Sequence, residues 1–173
     1  LVSAGLALHG GRIYVAAISL PVGKPPQGAI YSMLPDGSDL LSVVPESAGY
    51  APDDLVFDKS GGFYFTDFKG KSTEPDGGLY YVHPGHTQIT SVLKGIGKAN
   101  GVALSPDGNT LWITEYANNR ILRLELADPV TVLPNGSTAP YYFNGPAPDS
   151  IRVDTDGNVY VAMHRQGRIL ILN

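Results

Sequence analysis

The chain has no cysteine among its 173 residues. That excludes a disulfide framework, a thiolate metal centre and a cysteine nucleophile, and it accords with a reducing compartment, the cytoplasm being the expected one. No apolar run approaches the ~18 residues that a membrane-spanning helix needs. Charge is sparse as well: Asp and Glu number 16 against 12 Lys and Arg, for a net charge of −4. The cations form no cluster, so neither nucleic acid nor an anionic lipid surface is an expected partner. No segment combines a helical apolar period with capping residues, so helices are not expected.

Glycine and proline are plentiful instead, at 21 and 14 residues, which suits many short strands joined by turns. One sentence recurs along the chain. Ala99-Asn100-Gly101-Val102-Ala103-Leu104, then a polar turn, leads into Thr110-Leu111-Trp112-Ile113-Thr114. Asp53-Asp54-Leu55-Val56-Phe57 leads in the same way into Phe63-Tyr64-Phe65-Thr66, and Asp149-Ser150-Ile151-Arg152-Val153 into Val159-Tyr160-Val161-Ala162. A fainter copy, Ala4-Gly5-Leu6-Ala7-Leu8, precedes Arg12-Ile13-Tyr14-Val15. Aligned on the strand, Asp53, Asn100 and Asp149 hold one position, 47 and 49 residues apart.

Strands are expected over 5–8, 12–18, 28–34 and 39–44, then 53–58, 63–68, 78–83 and 88–93. They continue over 100–105, 110–115, 120–126 and somewhere in 130–143, and finish with 149–154, 159–163 and 168–172. Four strands in each ~48 residues match a β-propeller blade. A β-sandwich is the plainer alternative, but it does not demand a repeating unit. The expected fold is therefore all-β, a six-bladed β-propeller of which this chain holds about four consecutive blades. They fall at 1–47, 48–97, 98–145 and an incomplete 146–173. A six-bladed ring at this spacing needs about 290 residues, so the chain is expected to be part of a longer protein.

The first strand of each blade lines the central channel, with equivalent positions at equal height. Asp53, Asn100 and Asp149 should therefore converge at one mouth. Any one of them alone reads most simply as a strand cap. Three in register place two carboxylates and an amide oxygen around one point, a conflict that a hard cation resolves. Ca²⁺ fits an all-oxygen set better than Mg²⁺, and zinc is disfavoured. Ala4 fills the position in the first blade and offers no ligand.

Other motifs carry less. Asp154-Thr155-Asp156-Gly157-Asn158 imitates the start of an EF-hand loop, but Arg165 stands where the twelfth-position Glu should be, so a hairpin turn is expected. His9, His83, His86 and His164 fall on turns and outer strands, assemble no Ser-His-Asp or His-His group, and should be solvated. Asn135-Gly136-Ser137 is a short glycosylation match. Tyr141-Tyr142-Phe143 reads as packing, though a ring there could line the pocket mouth.

Taken together, Asp53–Asp58, Gly61–Phe68, Ala99-Asn100-Gly101, Trp112–Glu115, Pro140–Phe143, Pro148-Asp149-Ser150 and Tyr160–Met163 resemble the senescence marker protein (regucalcin)/gluconolactonase family. Within it, the calcium-dependent lactonases are the most similar. The resemblance implies a six-bladed propeller with Ca²⁺ or another divalent cation in the channel. It also implies hydrolysis of small-molecule lactones, the metal polarising the carbonyl. Asn100 and Asp149 match metal ligands, Asp149 also matches the acid/base residue, Asp53 matches a further acidic ligand and Ser150 a neighbour of it. The remaining family ligand, a Glu, would lie before Leu1. A second calcium site would draw on Gly28 and the segment 46–50, but Pro26 stands where a serine is expected. Phosphotriester hydrolysis on the same site and a non-catalytic calcium-binding propeller are the rival readings.

Overall fold

Apolar side chains recur at every second residue along short, turn-bounded stretches, and in the computed structural model, which describes residues 1–173, they form fifteen strands and no α-helix. The first four are β1 (Val2–His9), β2 (Arg12–Ser19), β3 (Gln27–Met33) and β4 (Leu41–Val44). The next are β5 (Pro52–Phe57), β6 (Phe63–Asp67), β7 (Gly77–Val82) and β8 (Ile89–Ile96). Then come β9 (Ala99–Leu104), β10 (Thr110–Glu115), β11 (Arg120–Asp128) and β12 (Thr131–Tyr142), and last β13 (Pro148–Val153), β14 (Val159–Met163) and β15 (Arg168–Leu172). Consecutive strands pair antiparallel into four separate sheets, the fourth three-stranded. This is the blade order of a β-propeller.

The packing rules out a sandwich. There is no single core but three large ones, each between two neighbouring blades, and a small fourth cluster of Ile18, Ala51 and Phe68. Alternation along the strand divides each blade between them. Phe63 and Phe65 pack with Tyr14, Ile30 and Val44 of the first blade, whereas Tyr64 joins Leu111 and Ile113 of the third. Across β10, Leu111 and Ile113 face the second blade while Trp112 packs against the fourth with Ile151 and Val161. Leu6 and Leu8 on β1, and Ile169 and Ile171 on β15, stay exposed on the outer faces of the first and fourth blades.

Most strand ends lie a residue or two from expectation and β1 begins at Val2 rather than at 5, while two of the shifts have a visible cause. β4 starts at Leu41 rather than at 39, because Asp39 adopts a left-handed φ of 53° and its carboxylate pairs with Arg12 at 2.6 Å. β8 runs on to Ile96, carried past Gly95 (φ 78°) by a register shift opposite Gly77. The EF-hand-like stretch is the expected hairpin turn. Asp154 Oδ1 accepts the backbone N–H groups of Asp156 and Asn158 at 3.0 and 2.9 Å. The loop is thus closed by its own carboxylate.

Candidate metal and substrate cleft

The inner strands are each interrupted at the same place. Antiparallel register slips by one residue between Ser3 and Gly5, between Pro52 and Leu55, between Ala99 and Val102, and between Pro148 and Ile151. Such bulges turn a side chain out of the pleat and leave backbone groups unpaired. Ala4, Asp53, Asn100 and Asp149 are the residues on those bulges. All four line one cleft of about 370 Å³, together with Leu20, Phe68, Lys98, Tyr116, Ser150 and His164. The four positions named from the sequence, Asp53, Asn100, Asp149 and Ser150, therefore share one cavity.

The unpaired backbone groups are taken up by two threonines. Thr66 accepts the N–H of Asp54 at 3.0 Å and donates to the carbonyl of Asn100 in the next blade. Thr114 repeats the device, accepting the N–H of Gly101 at 2.7 Å and donating to the carbonyl of Asp149 at 2.5 Å. Both threonines are fully buried. The two clamps bind Asp53 to Asn100 and Asn100 to Asp149 through the backbone. Gly101 lets the inner strands close up: a Cβ there would stand 2.6 Å from the carbonyl of Asp149. Replacing Thr114 by valine keeps the shape and strands a buried N–H, at a cost of about 2 kcal/mol. Chemical denaturation should show that loss. Thr114→Ser should restore the stability.

Electrostatics divides the carboxylates. Asp54 is buried and fully paired: its Oδ2 meets Arg152 Nη1 of the fourth blade at 2.7 Å and the N–H of Val102 at 3.2 Å, and its Oδ1 takes the N–H of Leu55 at 2.9 Å. It knits three inner strands and has no capacity left for a ligand. Asp53 lacks such a cation. Burial, reinforced by the carboxylates of Asp149 and Asp54, pushes its pKa up to about 7. Asn100 is 5% exposed, and its Oδ1 is the one buried side-chain oxygen or nitrogen in the molecule without a hydrogen-bond partner. Such an orphaned acceptor between carboxylates suits a cation. The donors that Asp53, Asn100 and Asp149 bring to the cleft are two carboxylates and an amide, and an all-oxygen set of this kind suits a hard, oxygen-seeking ion.

Three expectations are corrected. His164 is not simply solvated: its Nδ1 lies 3.2 Å from Asp149 Oδ2, and its ring meets Tyr116 edge-on at 5.8 Å. The sequence carried the signal. His164 stands five residues after Val159 as Phe68 stands five after Phe63 and Tyr116 five after Leu111, and in these three blades the position lines the cleft. His9 also departs from expectation, stacked on Phe57 at 4.3 Å. Tyr141 and Tyr142 lie exposed on β12, away from the cleft, and only Phe143 is packed. Glu115, fully buried, is occupied by the N–H of Gly97 at 2.8 Å, by Asn118 and by Arg120, and serves the structure.

Comparison with known proteins agrees with this arrangement. The family model described as SMP-30/Gluconolactonase/LRE-like region matches residues 29–173. A protein named Lactonase drp35 from Staphylococcus haemolyticus (strain JCSC1435) is 49% identical over 149 residues, 84% of this chain and 46% of its own length. The chain thus spans about half the length of the curated relatives it matches. Among solved structures, a luciferin-regenerating enzyme superposes with a TM-score of 0.73 at 16% identity, covering 99% of this chain and 72% of that one. A regucalcin from Agrobacterium tumefaciens str. C58, described as a calcium-binding protein, gives 0.68 at 18%, covering 100% and 71%. At such identities the structures speak for the fold alone.

Proposed function

Because the chain belongs to the SMP-30/gluconolactonase/LRE-like family, we propose that the cleft is the active site of a metal-dependent hydrolase that opens lactone rings. One observation carries the reading: a buried amide oxygen with no donor, set between two carboxylates in a substrate-sized cleft. The similarity to a protein named as a lactonase supports the substrate class.

Asp53, Asn100 and Asp149 would hold a divalent cation, most suitably Ca²⁺, with Ser150 beside it. A cation bound there supplies electrophilic pull on the lactone carbonyl and steadies the charge that grows on its oxygen. The chain's own residues do the rest. Asp149, 33% exposed in its side chain, faces both the ion position and the open cleft. Its carboxylate takes the proton of the attacking water and returns it to the departing alkoxide. His164 steadies the Oδ2 oxygen while this happens. Asn100 contributes an oxygen without charge, so the donor set adds no third negative charge to the two carboxylates that balance the ion. Thr66 and Thr114 hold the three donors in register from behind.

The test is a substrate panel on the full chain with Ca²⁺ and with chelator. Lactone opening that falls to background on chelation and returns with Ca²⁺ is the expected result. Phosphotriester turnover in its place would move the reaction class and leave the site. Tight Ca²⁺ binding with no turnover of either class would make the protein a calcium-binding module.

A further inference from the structure

Nearly every buried or half-buried cation in the molecule has a carboxylate partner. Arg12 has Asp39, Lys69 has Asp67, Arg120 has Glu115 and Arg123 has Glu125, and even the exposed Arg152 has Asp54. Lys98 is half-buried and lines the cleft with Asp53 and Asp149, yet forms no ion pair with either. Its ammonium is flanked by ring faces instead, 5.4 Å from the centre of Phe68 and 5.7 Å from that of Tyr116. Aromatic faces hold a cation without neutralising it or using its donors.

The backbone is committed to this placement. Lys98 sits at φ 55°, a left-handed conformation that disfavours residues with a Cβ. It is pinned there by its N–H to the carbonyl of Lys69 at 2.8 Å and by its own carbonyl, which accepts the N–H of Tyr116 at 3.1 Å. The charges of the cleft point the same way. With a divalent ion bound, Asp53 and Asp149 are balanced and the charge of Lys98 is left over.

We propose that Lys98 is a specificity residue that reads a second, anionic group on the substrate, so that the preferred substrates are lactones carrying a carboxylate or comparable anionic oxygen away from the ring carbonyl. The inference rests on the lactone-opening reading of the same cleft. Lys98 makes no bond to the reacting atoms. Its ammonium meets the distant anionic group, fixing how the ring enters and favouring such substrates over neutral ones.

The experiment compares the full chain with Lys98→Met, which keeps the length of the stem between Phe68 and Tyr116, and with Lys98→Arg, which keeps the charge. In the presence of Ca²⁺, kcat and KM are measured for a neutral δ-lactone and for one bearing a carboxylate. Lys98→Met should raise KM for the carboxylated lactone by about tenfold, leave its kcat, and change the neutral one far less. Lys98→Arg should retain the preference. Equal losses on both lactones would overturn the proposal. Calorimetry with glutarate and butyrate separates this idea from the activity it builds on. The unaltered protein should bind the dicarboxylate about tenfold more tightly, and Lys98→Met should erase the difference. If no lactone is opened but that difference holds, the lactone reading fails and the role of Lys98 stands. Equal binding of the two acids by the unaltered protein, or a preference that survives Lys98→Met, rejects it.

Discussion

Replacing Asp149 by asparagine is expected to lower kcat for lactone opening by a factor on the order of 10³, within the range ascribed to a positioned general base. Three features of the fold converge on this residue. A bulge on β13 turns it out of the sheet, Thr114 fixes its carbonyl at 2.5 Å, and His164 holds Oδ2 at 3.2 Å. The asparagine variant retains an oxygen for the ion but has no carboxylate to accept a proton. Its kcat should therefore collapse while its calcium affinity falls far less than that of Asp149→Ala, which removes the donor outright. Initial rates at saturating lactone, set beside calcium titrations and melting curves for the three proteins, make the comparison. A rate for Asp149→Asn within tenfold of the unaltered protein would move the proton acceptor elsewhere, Asp53 and His164 being the other acceptors in the cleft.

The reach of the sequence ends at an identifiable place. Periodicity located all fifteen strands to within a few residues, because each blade repeats one apolar alternation bounded by the same Asp- and Gly-containing turns. The register of Asp53, Asn100 and Asp149 placed them on one cleft, since a shared repeat position becomes a shared height around the axis. What stayed hidden depends on contacts between blades. Asp54 looks like a twin of Asp53, and only the chain's return 98 residues later brings Arg152 to it. That pairing makes Asp54 a tie and leaves its neighbour free for a ligand. Thr66 and Thr114 read as ordinary strand threonines until the bulges opposite them expose an N–H and a carbonyl to be bridged. His164 is legible as the counterpart of Phe68 and Tyr116 in the repeat, although it belongs to no histidine pair or serine triad along the sequence.

The strongest condition on the site is set by protons. The pKa of Asp53 stands at about 7, raised from 3.8 by burial and then by the carboxylates of Asp149 and Asp54. A carboxyl raised in this way favours the folded, ion-free protein on the acid side, and that contribution is lost as pH climbs through 7. A divalent ion held as proposed would reverse the balance, because it would need Asp53 ionised and would have to displace the proton to bind. Below pH 7 the apparent calcium affinity should therefore fall by about tenfold per unit, or roughly fiftyfold between pH 7 and pH 5. Above pH 8 it should be flat. Asp149, His164 and Lys98 face the same space, and Asp54 with Arg152 lies behind it. For this reason the contribution of Asp53 is read as the difference between the unaltered protein and Asp53→Asn. The variant should bind more weakly at pH 8 and show a much shallower slope below it, with each proton lost on binding appearing as heat in buffers of different ionisation enthalpy. A calcium affinity that does not change between pH 5 and pH 8 would remove Asp53 from the ion's donors, leaving Asn100 and Asp149 alone to hold it.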